Sequence, residues 1–177
     1  MDVPLTQAIR LIYPRLTVLV TSIDSVGRTN AAPYSWCCPI SFKPPMLILG
    51  IQAKETRTIK NIKQTKEFVV NVVTKDWVQK AIKCEAKNLD DKFAEFGLET
   101  TKCSKVQAPC IKEAKIVLEC KLSEIMQPQG ADHYIVVGEV VTAKKDDGLK
   151  DSEIVMHIGG GKFVLPGEEM NLERGKK

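Results

Sequence analysis

The chain has 177 residues, a length that accommodates one domain with a single continuous core. A hydrophobic fraction of 44% and a charged fraction of 27% exclude a disordered or fibrous protein. The net charge of +4 arises from 26 basic residues dispersed among 22 acidic ones, without the dense basic block that tracks a nucleic-acid backbone, so an anionic small molecule is the better-matched partner.

Met1-Asp2-Val3-Pro4 lacks the basic and apolar regions of a secretion signal, and no apolar run approaches about 18 residues. A cytoplasmic protein with no membrane partner is therefore expected. In that compartment the six cysteines are expected to remain thiols. Cys37 and Cys38 are adjacent while Cys84, Cys103, Cys110 and Cys120 stand apart; no pair has the spacing of a zinc knuckle, and no metal is expected.

Pro4 opens a short helix with Leu5, Ala8, Ile9 and Ile12 on one face, and Pro14 ends it. Leu16 to Ile23 is β-branched and runs into the turn formers Asp24-Ser25-Val26-Gly27, which predicts a strand entering a hairpin. Thr29 to Trp36 is extended but carries Pro33, which cannot donate to a ladder and places it at an edge or bulge. After Pro44-Pro45, the apolar run Met46 to Ile51 predicts a central strand buried on both faces. Thr56 to Gln64 predicts a capped helix, Glu67 to Val73 a strand, and Lys75 to Lys83 and Asn88 to Phe96 two helices, the second stopped by Gly97. Ala114 to Met126 alternates, with Glu119 on its polar face, and a turn at Pro128-Gln129-Gly130 leads to the strand Tyr134 to Ala143. Successive antiparallel strands with short intervening helices predict a mainly β barrel with peripheral α-helices. A polar tail containing Glu168, Glu169, Glu173, Arg174, Lys176 and Lys177 closes the chain.

Four clusters can carry chemistry. Lys54-Glu55-Thr56-Arg57-Thr58 sets cations and hydroxyls at a helix amino terminus, where unpaired N–H groups can receive a phosphate; an ordinary capped helix has the same composition. Asn30-Ala31-Ala32-Pro33-Tyr34-Ser35-Trp36 offers small residues and hydrogen-bonding groups to a planar ligand, or forms a plain proline-broken edge with Trp36 in the core. Asn71 lies between valines, and its amide needs a partner, either a ligand or a neighbouring loop. Asp132-His133 is a titratable pair suited to proton handling, although neighbours on a strand ordinarily face opposite ways.

Taken in order, these segments resemble the flavin reductase-like, FMN-binding split-barrel family, which includes flavoredoxin-type proteins. The resemblance rests on Asn30 to Ser35, Ser41-Phe42-Lys43-Pro44-Pro45, Lys54 to Thr58 with the helix bearing Asn61, Glu67 to Val72, Asp132 to Val140 and Gly159-Gly160-Gly161. It implies a single domain over residues 1–177, a six-stranded Greek-key split β-barrel and a homodimer. It also implies bound FMN, with Asn30, Ala31, Ser35 and Trp36 along the isoalloxazine, Lys54, Thr56, Arg57 and Thr58 at the phosphate, and Asn71 supporting the pocket. The family's Gly-Asp-His signature maps to Asp132 and His133, with Ala131 where glycine is usual and Gly130 one step earlier. The implied activity is an oxidoreductase passing electrons from NADH or NADPH through flavin to an acceptor, with His133 and Asp132 managing protons. Two rival readings are a flavoredoxin-type carrier reduced by a redox protein partner and a small barrel binding nucleic acid. Cys37 and Cys38 have no assigned role.

Overall fold

The computed structural model describes residues 2–172; Met1 and the tail residues Glu173, Arg174, Lys176 and Lys177 lie outside it. A short helix α1 (Leu5–Ala8) and one 3-10 turn precede β1 (Arg15–Leu16), β2 (Val18–Ile23), β3 (Thr29–Tyr34), β4 (Cys37–Phe42) and β5 (Pro45–Gln52). Then follow α2 (Arg57–Thr65), β6 (Glu67–Val72), α3 (Val78–Lys83), α4 (Lys92–Phe96), the short β7 (Thr100–Thr101) and β8 (Cys110–Ile111), and the long β9 (Ile116–Met126) and β10 (His133–Lys145). The last elements are β11 (Met156–Gly159) and β12 (Lys162–Val164); β11 pairs with β1 on one side and β12 on the other in a separate small sheet.

The main sheet has seven strands in the order β3-β2-β6-β9-β10-β5-β4, every pairing antiparallel. That is one strand more than the six the resemblance implied, since Cys37–Phe42 forms an outer strand of its own against β5. Its edges are β3 and β4, consecutive in the chain and separated only by Ser35 and Trp36. Two residues therefore carry the chain from one edge of the sheet to the other. Pro33 sits on the β3 edge, as a residue without an N–H must.

Inward residues of β2 (Val18, Val20), β5 (Leu47, Leu49, Ile51) and β6 (Phe68, Val70, Val72) form the core with Cys120 and Val136. Ile59 and Ile62, three apart on α2, bury against them. The two-faced strand is β6, not β5. β5 alternates buried and partly exposed positions, because among the described residues no helix covers its outer side, whereas the outer side of β2 and β6 lies under α3, α4 and the segment 102–111. The predicted strand Met46 to Ile51 is thus half-buried, its run of apolar residues notwithstanding.

The same segment corrects two other expectations. Cys103 and Cys110 form a disulfide, leaving Cys37, Cys84, Cys120 and the exposed Cys38 as thiols. Glu119, expected to face solvent, is buried; its carboxylate accepts hydrogen bonds from Ser104 N and Oγ (2.9 and 2.8 Å) and from Lys105 N. These donors outweigh a burial effect that alone would raise the carboxyl, and they hold its pKa below the ordinary value. The amino-terminal helix forms as predicted but buries none of its residues: Leu5, Ile9, Leu11 and Ile12 are all exposed.

Candidate functional site

The site lies where the two sheet edges meet. A cavity of about 850 Å³ opens at the Ser35–Trp36 junction, lined by β3, the end of β5, the amino terminus of α2, and the segment from Cys84 to Asn88 with Lys92. Trp36 O accepts from Gly50 N at 2.8 Å, tying the junction to β5. Gly50 is required there by space: a Cβ would stand 2.7 Å from Trp36 Cε3 and 2.9 Å from Trp36 Cβ. The indole, 39% exposed, stacks on His133 with ring centroids 4.4 Å apart and planes inclined by 23°. Trp36 is therefore a cavity residue and not a core one. His133 reaches it because β10 pairs with β5 at the register His133↔Gln52.

Asp132 is exposed, yet its Oδ1 lies 2.7 Å from His133 Nδ1, so the adjacent side chains do meet. This hydrogen bond, with the attraction of the imidazole, holds the Asp132 carboxyl below its usual range. Asp132 itself lies outside the cavity lining.

At the start of α2, Thr56 is the amino-terminal cap, its Oγ1 accepting from Ile59 N at 3.3 Å. Lys54, Thr56, Arg57 and Thr58 all line the cavity beside the unpaired N–H groups of that turn. Arg57 is anchored by Nη1 donating to Leu89 O (2.7 Å), while Glu55 is turned to Lys63 at 2.8 Å. Asn30 Nδ2 donates to Thr58 Oγ1 at 3.0 Å, which links β3 to the helix start.

Two residues that the resemblance assigned to the cofactor site stand outside the lining. Ala31 is fully buried and outside the lining; its carbonyl accepts from Lys92 Nζ at 2.9 Å. Asn71 also lies outside the lining: its Nδ2 donates to Leu19 O (3.0 Å) and Thr21 Oγ1 (3.4 Å), and its Oδ1 accepts from Ile111 N (3.0 Å). The amide is thus satisfied by the protein itself, through strand β2 and Ile111 of β8. Cys37 follows the junction as the first residue of β4 and is half-buried, desolvation that drives its thiol up to about 12, and Cys38 is exposed on the same strand.

Lys92 escaped the sequence reading. It is 8% exposed, its ammonium bonded to Ala31 O and to Cys84 O (2.6 Å), and burial pushes its pKa down. Lysine beside Phe93 on a short helix reads as a solvated side chain, and no local pattern marks it as inward-facing. Cys84, buried beside it, is pushed up to about 11 by burial.

A family profile described as "Flavin reductase like domain" matches residues 10–165. Among solved structures, a protein with a split barrel domain from Shewanella frigidimarina superposes with a TM-score of 0.86 at 21% identity, covering 98% of this chain and 95% of the other. Flavoredoxin of Desulfovibrio vulgaris (Miyazaki F) gives 0.81 at 24% identity with 97% of both chains covered. An FMN-binding protein from Thermus thermophilus, solved with p-hydroxybenzaldehyde, gives 0.80 at 22% identity with 98% and 97% covered. At these identities the likeness is one of fold, a mainly β split barrel.

Proposed function

We infer, for a chain that belongs to the flavin reductase like domain family, that the cavity binds FMN and that the protein is an oxidoreductase passing electrons from NADH or NADPH to an acceptor. The observation that carries this reading is one cavity holding both a stacked Trp36–His133 pair and a cationic, capped helix amino terminus. An aromatic face suits a planar ring, and N–H groups with Lys54 and Arg57 suit a phosphate monoester. The space kept at Gly50 seats the indole, so the residues present fit the cofactor.

Bound FMN would supply the electron-transfer chemistry, taking reducing equivalents from a donor and passing them on. The chain's part is to bind, orient and manage protons. Lys54, Thr56, Arg57 and Thr58 fix the phosphate end, Asn30, Ser35 and Trp36 orient the ring, and Lys92 places a buried cation against the same cavity. Ala31 and Asn71 serve behind this lining, the first by holding Lys92 and the second by fixing the loop over β6. Asp132 fixes His133 through Nδ1, leaving Nε2 to hold or release a proton beside the ring.

A second reading, an electron carrier reduced by a redox protein, is favoured by Ala131, which stands before Asp132 where the family pattern has glycine and brings a Cβ that would obstruct close approach of a nicotinamide ring. The same proposal places one domain over residues 1–177 in the cytoplasm as a homodimer. Support for a second copy comes from apolar side chains left exposed on the amino-terminal helical segment (Leu5, Ile9, Leu11, Ile12) and on the edge strand β4 (Ile40, Phe42), which a partner chain would cover. Among the described residues no helix is long and apolar enough to cross a membrane.

The test is an anaerobic visible spectrum of the purified protein before and after NADH or NADPH. A yellow protein bleached by nicotinamide supports the reductase, a yellow protein left unbleached supports the carrier, and absence of FMN after reconstitution rejects both.

A further inference from the structure

Behind Ser35 lies a residue to which the reading above gives no role. Ser35 lines both the large cavity and a small recess of about 60 Å³ beside it, and the recess holds His157 of β11. His157 Nδ1 is 3.0 Å from Ser35 Oγ, and its Nε2 is 2.9 Å from Gly160 O. Phe163 packs on the ring at a centroid distance of 5.1 Å, so the imidazole is held on three sides.

These partners fix the tautomer. A carbonyl oxygen only accepts, so Nε2 must carry the hydrogen that bonds Gly160 O. In the neutral ring Nδ1 is then bare and accepts the Ser35 hydroxyl hydrogen. Ser35 has only one hydrogen to give; with it committed to His157, the oxygen can present only lone pairs to the cavity. Protonation of the imidazole puts a hydrogen on Nδ1 as well, which donates to Ser35 Oγ and frees the hydroxyl hydrogen.

We propose that His157 is a positioning residue that sets the hydrogen-bond polarity of Ser35 towards the cavity: an acceptor for a ligand N–H while His157 is neutral, a donor once it is protonated. The identity of that ligand, the N–H-bearing ring of FMN, rests on the function proposed above; the tautomer does not. Charged and titratable groups around the relay are Glu85 and Tyr34 in the recess, Arg15 opposite His157 on β1, and Lys54, Arg57, Lys92 and His133 at the cavity.

The test has two arms. In flavin-free protein, 15N NMR of His157 reads the tautomer at neutral pH: hydrogen on Nε2 supports the relay, hydrogen on Nδ1 overturns it. In the second arm FMN fluorescence quenching is titrated for wild type, Ser35→Ala, His157→Phe and the double variant across pH. Each single variant is expected to weaken FMN about threefold to tenfold, the worth of one hydrogen bond, and the double variant no more than either. Only proteins retaining both residues should show the pH inflection assigned to His157, which separates it from titration of Glu85 or His133. Additive losses, or an inflection that survives His157→Phe, overturn the proposal. Should His157→Phe fail to fold, the wild-type tautomer and Ser35→Ala, which must shift the Nδ1 resonance, still decide it. Failure of wild type to bind FMN rejects the flavin reading and with it the ligand named here, and is distinguishable because the tautomer is read without flavin.

Discussion

The indole of Trp36 and the imidazole of His133 lie 4.4 Å apart, centroid to centroid, although 97 positions of sequence separate a junction between sheet edges from the start of a long strand. The stack exists because Gly50 lets the indole lie flat against β5 while the β10–β5 register brings His133 to the same level.

Gly50→Ala tests that seat. The added Cβ, 2.7 Å from the indole, must displace Trp36 from His133, an overpacking cost of about 1–3 kcal/mol. Expected are a shifted tryptophan emission and FMN affinity lower by about tenfold, both read in one fluorescence titration. Unchanged affinity would show that the stacked pair is no part of the ligand site.

Lys92→Met keeps the aliphatic stem and removes the ammonium. Ala31 O and Cys84 O each lose a donor, which should cost about 1–3 kcal/mol in urea unfolding without flavin. FMN affinity should fall as well, because the cation lines the cavity. A stability loss with affinity intact would confine Lys92 to a structural role.

Glu119 makes the fold acid-sensitive. Its folded-state pKa is depressed, so its contribution is complete above the ordinary carboxyl value of about 4.5 and is lost as pH falls through the lower folded value. Glu119→Gln should cost about 1.5–3 kcal/mol at neutral pH by weakening three charge-assisted hydrogen bonds. It should also flatten the fall of stability below pH 4.5. Parallel pH–stability curves for the two proteins would contradict this assignment.

The Cys103–Cys110 disulfide closes a short loop, seven residues apart in sequence. Loop-closure entropy for that length gives about 2–3 kcal/mol. Reductant, or Cys103→Ser with Cys110→Ser, should lower Tm by about 5–10 °C. FMN binding should survive, since neither cysteine lines the cavity. Equal Tm with and without reductant would mean that the pair is not bonded in solution.

Much of the architecture was legible locally. The proline-broken edge at β3, the Thr56 cap, the Gly97 stop and the β9–β10 pair all follow from backbone chemistry confined to a few residues. Of the residues the family resemblance pointed to, Asn30, Ser35, Trp36, Lys54, Thr56, Arg57, Thr58 and His133 line one cavity, whereas Ala31, Asn71 and Asp132 do not. The failures share a cause. Glu119 and Lys92 are charged residues that read as solvated until a distant segment supplies backbone partners: the 104–105 turn for the carboxylate, β3 and Cys84 for the ammonium. Asn71 was open between ligand and loop because burial demands a partner without naming it.

The sequence by itself determined the mainly β class, six strands of the main sheet and the helices between them, and which segments could hold a phosphate or a ring, because turn chemistry, capping and alternation act over two to four residues. Only the tertiary structure decided that the sheet edges meet at Ser35–Trp36, that Cys103 bonds Cys110, that β6 and not β5 is covered on both faces, and that His157 stands behind Ser35. Each of those depends on surfaces brought together from 7 to 122 residues apart. The free energy that selects them comes from burial and hydrogen-bond satisfaction summed over the whole chain, which no short stretch of sequence encodes.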